Sequence, residues 1–371
     1  KIQQIAQLNL DYFIDDLEEV FAEKGFPLIS KVLFNPKAQG QYHDLHCNNW
    51  SEIGQHILGP MPVTECKLLA QTFCPEQIAS VTQLRGRGNS RIFRVLTNAG
   101  TAYALKSYPD LLIDPRLRLR NEVNAYNFLE HLQLTPKHIA HDEELNLALF
   151  EWIDGITPID IGTTHIDQAL FFIDKLKGLP VDSDSNILEA SEACLSGAEL
   201  LSQVQGRIRK LESINNLELQ SFLETLLKPL WENIWEWSES KWPSLSFDTK
   251  LSQSKQIVSP SDFGFHNAIQ RNDGTLCFID LEYFGRDDPV KLIADFLWHP
   301  AMNLKLAHKT QWLEGMYAIF DQDPDLPQRF RAAWPLYGMR WALIILNEFR
   351  QDGWQKRVHA KGDLQQGRKQ R

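Results

Sequence analysis

The sequence is poor in the features that mark secreted, membrane-spanning or nucleic-acid-binding chains. Its five cysteines are odd in number and lack the paired spacing of a disulfide framework. No apolar run approaches the roughly 18 to 20 residues that span a bilayer, and residues 1–10 lack the apolar core of a signal peptide. Basic residues are too few to balance the acidic ones, and the net charge of -10 would repel a polyanion. We therefore expect a cytoplasmic protein with neither a membrane nor a nucleic-acid partner.

The composition is otherwise that of a globular protein. A hydrophobic content of 43% in 371 residues is enough for a sizeable core, and the length predicts about two to three domains. Changes in periodicity divide the chain into three regions. Residues 1–75 form an N-terminal extension of unknown role, residues 76–152 contain short strand-like runs, and residues 153–371 are mainly helical. The pattern predicts an α+β fold.

The periodicity also predicts individual elements. In the extension, the apolar positions from Leu8 to Phe21 indicate an amphipathic helix. Strands are predicted at 78–84, 91–96, 101–106 and 145–150. Helices are predicted at 116–132, 165–177, 189–214, 217–237 and 327–349. The helical region is interrupted at 257–281 by a polar loop and two short strands, where we expect the chemistry to lie.

A glycine-rich turn lies between the first two predicted strands of the middle region. Phosphoryl transfer requires that the charge of the phosphates be cancelled and the reacting groups positioned. Glycines allow a tight turn whose exposed N–H groups face phosphate, and the turn offers Gly86, Gly88, Asn89 and Ser90. The alternative is an ordinary hairpin turn.

A lysine ends the third of these strands, and a glutamate follows it on the next predicted helix. In kinases, such a lysine contacts the α and β phosphates of ATP and is held by the helix glutamate. Lys106 and Glu122 occupy these positions. The alternative is a solvated strand-end lysine and an unrelated surface glutamate.

The polar loop of the helical region carries a third signal. Asp262 and Asn267 are five residues apart, which is the spacing of a kinase catalytic loop, and Asp280 ends an apolar strand where a metal-binding carboxylate should follow. Because lysine, glutamate, Asp-x4-Asn and apolar-Asp occur in this order, we favour a kinase site over a coincidental set of turn and cap residues.

These residues resemble the aminoglycoside phosphotransferase-like and choline kinase-like small-molecule kinases over about residues 78–300. The resemblance implies a two-lobed protein-kinase-like fold, with a small antiparallel-sheet N-lobe that binds nucleotide and a helical C-lobe that holds the catalytic loop and the acceptor. It implies that Asp262 is the catalytic base or orients the acceptor. It also implies a phosphate-binding pair and two magnesium ligands, which are Lys106 with Glu122 and Asn267 with Asp280.

The resemblance further implies that the lobes meet at a hinge, where Glu151 and Ile153 offer backbone groups to the adenine of ATP. The loop departs from the family pattern in one respect, because Ser261 precedes the catalytic aspartate at the end of a segment that in the family carries a bracing histidine. For His266 we favour a solvated or backbone-bonded role over proton transfer. Glu282 either supports a second metal or faces solvent.

Three other groups of residues receive structural interpretations. Asp287, Asp288 and Asp295 are expected to cap or support a helix that begins near Pro289. Packing is favoured over a zinc site for a set with no standard spacing, which is His43, His46, Cys47 and Cys66. Packing is also favoured over an aromatic cage for a crowded set of tryptophans, which is Trp231, Trp235, Trp237 and Trp242.

The sequence therefore predicts an ATP- and Mg²⁺-dependent phosphotransferase that acts on a hydroxyl of a small molecule such as a sugar, an aminoglycoside or an amino alcohol. One alternative is a catalytically inactive relative that binds nucleotide and regulates a partner, but the complete set of Asp262, Asn267 and Asp280 disfavours it. The other is a protein kinase. The absence of an Ala-Pro-Glu-like segment after Asp280 disfavours that class.

Overall fold

The computed structural model describes residues 2–8, 10, 12–34, 42–47, 50, 53–54, 63–84, 90–109, 111, 114–179, 187–243 and 247–349. Among these residues, no helix is both long and apolar enough to cross a membrane.

The N-terminal region forms a small parallel sheet. Its elements are α1 (Ile2–Gln7), β1 (Tyr12–Asp15), α2 (Glu18–Ala22), β2 (Ser30–Phe34) and β3 (Leu45–Cys47), and the strand order is β1-β2-β3. The single amphipathic helix predicted from Leu8 to Phe21 is wrong, because β1 interrupts it. Phe13 and Ile14 are aromatic and β-branched, and pairing with β2 satisfies their backbone in an extended conformation.

The next part of the chain builds a five-stranded antiparallel sheet. Its strands are β4 (Ile78–Gln83), β5 (Arg91–Thr97), β6 (Ala102–Ser107), β7 (His138–Asp142) and β8 (Leu147–Glu151), in the order β4-β5-β6-β8-β7. Helix α4 (Arg118–Leu129) connects β6 to β7. Helix α3 (Val63–Phe73) packs on the sheet, since Cys66 and Ala70 share one buried apolar cluster with Phe93 of β5. The boundary at residue 75 stays a prediction, and this packing indicates that any N-terminal truncation should retain α3.

The described residues beyond β8 are mainly helical. Its helices are α5 (Thr163–Lys177), α6 (Gly197–Glu212), α7 (Leu217–Phe222), α8 (Lys228–Lys241), α9 (Pro289–Trp298), α10 (Leu306–Ile319) and α11 (Leu326–Ile345), and a π-helical turn at Leu223–Leu227 joins α7 to α8. Two short antiparallel pairs interrupt them. They are β9 (Ile257–Ser259) with β12 (Gly285–Asp287) and β10 (Ala268–Gln270) with β11 (Leu276–Phe278).

The helix predicted from residue 189 begins eight residues later. Ser196 is the N-cap of α6, and its hydroxyl accepts a hydrogen bond from the Glu199 N–H at 3.1 Å, which satisfies a donor that the helix leaves free. Upstream of the cap, the backbone of Glu189 forms an isolated parallel β-bridge with the backbone of Arg286 in β12. Glu192 adopts a left-handed conformation with φ of 63°. This segment therefore lies against the β9–β12 pair rather than in the helix.

Candidate active site

Lys106 is the centre of a buried charge cluster. It lies on β6 and is 6% exposed. Its Nζ donates to Glu122 Oε2 at 2.6 Å, contacts Asp280 Oδ1 directly, and lies 3.3 Å from Glu282 Oε2. Burial opposes the charge of Lys106, but the carboxylates of Asp280 and Glu122 outweigh it and raise the pKa of the ammonium. The structure thus brings together β6, α4 and the loop after β11. Their lysine, glutamate and aspartate were connected in the sequence only by the order in which they occur.

Two buried tyrosines fix the Glu122 carboxylate. Tyr126 donates to Glu122 Oε1 at 2.8 Å, and Tyr108 donates to Oε2 at 2.7 Å. Burial, reinforced by the charge of Glu122, raises the pKa of both phenols, so they remain donors. The Tyr126 oxygen also accepts the Asp280 N–H at 2.9 Å. Helix α4 therefore orients both the lysine partner and the start of the loop that follows β11.

The catalytic-loop candidate follows β9, and a buried lysine holds it through a hydrogen bond. Ser261 has a left-handed backbone with φ of 66°, and its N–H donates to Ser259 Oγ at 3.0 Å. The buried Lys291 of α9 donates from Nζ to Ser261 Oγ at 2.9 Å. Phe263 anchors the other side of the loop in the core, where its ring stacks on Phe172. A serine–lysine contact thus braces the loop at the point where the family pattern differs.

Asp262 lies against two stacked histidines. His266 Nε2 is 3.1 Å from Asp262 Oδ1, and His299 Nε2 is 3.9 Å from the same oxygen. Desolvation raises the pKa of Asp262, but the hydrogen bond and charge of His266 outweigh it and lower the pKa. The solvated or backbone-bonded role favoured for His266 is wrong, because its ring contacts the candidate catalytic carboxylate. The carboxylate is ionised and 39% of the Asp262 side chain is exposed, so it is able to accept a hydrogen bond or a proton from a ligand.

The β10–β11 hairpin brings the two predicted metal ligands to the same end of the site. The Asn267 carbonyl accepts the Ile279 N–H at 2.9 Å, so Asn267 lies beside the residue that precedes Asp280. Asn267 Nδ2 donates to the Asp262 carbonyl at 3.0 Å, which leaves the amide oxygen as the atom able to bind a cation. Asp280 has a left-handed backbone with φ of 65°.

A magnesium ion fits the chemistry of this end of the site. Oxygen atoms of Glu122, Asp280 and Glu282 lie within 4.8 Å of one another, and carboxylate oxygens are the ligands that Mg²⁺ prefers. The suggestion that Glu282 faces solvent is wrong. Its side chain is buried and accepts contacts from Arg118, Lys106 and Ser90, because three donors converge on it from α4 and the sheet.

The predicted nucleotide-binding residues of the sheet are only partly described. Gly86, Gly88 and Asn89 lie outside the described residues. Ser90 is buried, and its hydroxyl donates to Glu282 Oε2 at 3.4 Å. At the predicted hinge, Glu151 ends β8 and its N–H donates to the Lys137 carbonyl at 2.8 Å, so that amide is used within the protein. Ile153 follows as a buried residue.

A cavity of about 790 Å³ opens beside Asp262. Its wall draws residues from regions far apart in sequence, namely Arg116 before α4, Glu192 before α6, Arg207 of α6 and Arg340 of α11. These residues were not predicted from the sequence, because no local motif connects them. Their only mark in the sequence is that some of them are arginines in segments with helical periodicity. Arginines in such segments are typical of solvated helix faces.

Several of the residues given structural interpretations make contacts of the kind expected, whereas Trp237 is 40% exposed. Asp288 caps α9, where its Oδ1 accepts the Val290 N–H at 2.9 Å. His43 Nδ1 lies 3.0 Å from Glu18 Oε1, and Cys66 packs with Ala70 in a different part of the molecule. Among the tryptophans, Trp242 packs edge-on against Phe247 at 5.1 Å between ring centroids.

Sequence comparison identifies one family. The sequence model of the phosphotransferase enzyme family matches residues 80–319. This range includes β5, α4, the catalytic-loop candidate and Asp280. No curated protein matches the sequence.

Structure comparison gives relatives with the same fold. Choline kinase LicA from Streptococcus pneumoniae is 18% identical with a TM-score of 0.54, covering 81% of this chain and 97% of that chain. Spectinomycin phosphotransferase, solved with ADP and spectinomycin, is 11% identical with a TM-score of 0.56, covering 81% and 93%. An ethanolamine kinase from Plasmodium vivax is 12% identical with a TM-score of 0.51, covering 82% and 88%. The predicted two-lobed, protein-kinase-like α+β fold and the family resemblance are confirmed.

Proposed function

The chain belongs to the phosphotransferase enzyme family, and from this premise we propose that it transfers the γ-phosphoryl group of ATP to a hydroxyl of a small molecule. The contact of Lys106 with both Glu122 and Asp280 carries the proposal. It joins the sheet, α4 and the loop after β11 at one point, and these are the parts that hold the phosphates in kinases.

The residues have distinct tasks in this proposal. Lys106 neutralises the α and β phosphates, and Glu122 keeps the ammonium in place through its buried carboxylate. Asp262 accepts the proton of the acceptor hydroxyl as the acceptor oxygen bonds to the γ-phosphorus and ADP leaves. His266, beside Asp262 Oδ1, orients the carboxylate toward the cavity. Ser261 and Lys291 hold the loop so that this carboxylate is positioned before the acceptor binds.

Magnesium would be held by Asp280 and Asn267, with Glu282 as a further carboxylate. When bound, the ion neutralises charge on the β and γ phosphates. The direct contact of Lys106 with Asp280 supports this assignment, because the lysine now occupies the position of a cation beside that carboxylate. The five cysteines are all buried, and their odd number and unpaired spacing support the proposal that the protein works in the cytoplasm, where thiols stay reduced.

The test is transfer of radiolabelled γ-phosphate from ATP to a panel of sugars, aminoglycosides and amino alcohols, with and without Mg²⁺. Label should appear in at least one acceptor only when Mg²⁺ is present, and an Asp262→Ala protein should transfer it at least about a hundredfold more slowly. If MgATP fails to bind, as measured by calorimetric titration, the proposal is wrong. If MgATP binds but the label is transferred to protein side chains instead, the enzyme is a protein kinase.

A further inference from the structure

Three arginines converge on one carboxylate in the wall of the cavity beside Asp262. Glu192 Oε2 lies 2.5 Å from Arg207 and 3.0 Å from Arg340, and Glu192 Oε1 lies 4.0 Å from Arg116. Burial raises the pKa of Glu192, but the charges of Arg207 and Arg340 outweigh it and lower the pKa to about 2. Glu192 is therefore fully ionised, and its charge is already neutralised by the protein.

The other carboxylates of this wall are also occupied. Asp114 accepts two hydrogen bonds at 2.6 Å from the Arg116 guanidinium. Asp295 accepts from Arg340 at 3.2 Å and from the Trp341 indole at 2.8 Å, and lies 3.3 Å from Lys291 Nζ. Apart from Asp262, every carboxylate that lines the described wall has a cationic partner. A positively charged acceptor would find no such group ready to receive it.

Cationic side chains outnumber carboxylates among the residues that line the cavity, although Lys291 also pairs with the buried Asp287 at 3.2 Å. Five cationic side chains line the cavity against four carboxylates, one of which is Asp262. Arg340 is 5% exposed, and within the described part of the chain its Nε has no hydrogen-bond partner. A buried guanidinium N–H without a partner costs free energy, so Arg340 retains unused hydrogen-bonding capacity next to the cavity. The guanidinium fork of arginine can bind two oxygens of a carboxylate or a phosphate at once, which no other side chain does as well.

We propose that the acceptor carries an anionic group, a carboxylate or a phosphate monoester, which Arg207, Arg340 and Arg116 bind while its hydroxyl faces Asp262. This inference rests on the proposed function. Glu192 fills the arginine cluster when no acceptor is bound, and its carboxylate moves aside or shares the cluster when the anionic group enters. Contacts link the two ends of the cavity, because Lys291 touches both Ser261 beside the catalytic residue and Asp295 beside Arg340.

The first experiment compares acceptors that differ only in charge. Glucose, glucuronate, glucose 6-phosphate and glucosamine form one set. Glycerol, glycerate, glycerol phosphate and aminopropanediol form a second set of smaller molecules. The anionic members should have kcat/KM at least about tenfold above their neutral counterparts, the size expected for one charged hydrogen bond. The carboxylate and phosphate arms distinguish the two anions. Preference for the neutral or cationic members in both sets would overturn the proposal.

The second experiment uses paired arginine variants on α6. Arg207→Gln should raise KM for the preferred anionic acceptor about tenfold to a hundredfold, with little change in kcat or in KM for MgATP. Arg209→Gln is the matched control, since Arg209 lies on the same helix, is exposed and does not line the cavity. Glu192→Gln should lower KM for the anionic acceptor, because it removes the competing carboxylate.

A binding measurement makes the result independent of turnover. Inorganic phosphate and malonate are titrated calorimetrically into the protein saturated with MgADP. Both should bind more weakly to Arg207→Gln than to Arg209→Gln, and equal binding to the two variants would overturn the inference. If MgADP itself does not bind, the proposed function fails. The anion titrations then still report on the arginine cluster without nucleotide, so the two failures are distinguishable.

Discussion

The imidazole rings of His266 and His299 stack face to face, with centroids 3.9 Å apart and planes 4° apart. Both rings lie beside Asp262, and His299 comes from the end of α9 rather than from the catalytic-loop candidate. Two imidazoles at this separation cannot both be charged cheaply. Burial and the neighbouring His266 lower the pKa of His299 to about 4, although Asp262 and Asp295 act in the opposite direction.

This depressed pKa predicts a loss of stability in mild acid. The unfolded chain binds a proton at His299 near pH 6.5, whereas the folded protein does so only near pH 4. The free energy of unfolding should therefore fall as the pH drops through this window, by roughly 3 kcal/mol from this group. Chemical denaturation of the intact protein and of His299→Gln at pH 7.5 and pH 4.5 measures the effect.

The variant should lose less stability over this interval than the intact protein. His131→Gln, which changes an exposed histidine, should follow the intact protein. The pKa of His138 is also lowered, so part of the acid sensitivity remains in every variant. The pKa of Asp262 is lowered from its usual value of 3.8, so protonation of this carboxylate reduces the free energy of unfolding only at pH values below about that value. An unchanged difference between His299→Gln and the intact protein at the two pH values would contradict the assignment.

Asp262→Asn separates catalysis from nucleotide binding. The amide retains the shape of the side chain but cannot take a proton from the acceptor. General-base catalysis contributes about a hundred- to ten-thousand-fold, so kcat should fall by that factor, or roughly 2.7 to 5.5 kcal/mol of barrier. The affinity for MgATP should change little, because Lys106, Asn267 and Asp280 are intact. Steady-state transfer and calorimetric titration measure the two quantities, and undiminished transfer would remove Asp262 from this role.

The sequence was informative where short motifs keep interacting residues in a fixed order. Lys106 ends a strand and Glu122 lies on the next helix, so a general knowledge of kinase sites was enough to predict their contact. The short β-branched and apolar run at 91–96 also predicted a strand, and the structure buries Phe93 and Val95 of that strand.

The residues that were missed meet only through tertiary packing. His299 reaches Asp262 from the end of α9, and Glu192, Arg207 and Arg340 come together from a loop and two helices. Contacts between elements so distant in sequence have no local periodicity to reveal them. The prediction of a helix where β1 lies was wrong for a related reason. Its apolar residues fit a helical spacing equally well, and pairing with β2 decides between the two structures.

Asp280→Ala should weaken the stabilisation that MgATP gives to the intact protein. A ligand at a hundred times its dissociation constant adds about 2.7 kcal/mol to the free energy of unfolding. Without the Asp280 carboxylate, the magnesium-dependent part of this gain should largely disappear. Thermal melts with ATP alone and with MgATP measure it, and Asp273→Ala is a control because Asp273 lies in the exposed turn of the same hairpin. If MgATP does not change the melting temperature of the intact protein, the whole proposed site is contradicted.

Lys106→Met tests whether a cation is needed among the buried carboxylates. Glu122 is 1% exposed and Glu282 is 5% exposed, and removing one partner of a buried ion pair leaves an uncompensated charge that costs about 3 to 5 kcal/mol. The variant should lose stability of that order, whereas Lys228→Met, which removes only surface ion pairs, should lose much less. Mg²⁺ without nucleotide should then stabilise Lys106→Met more than the intact protein, because the ion can take the place of the ammonium beside Asp280 and Glu282. Denaturant titrations with Mg²⁺ and with EDTA measure both effects, and equal responses of the two proteins to Mg²⁺ would show that these carboxylates do not form the metal site.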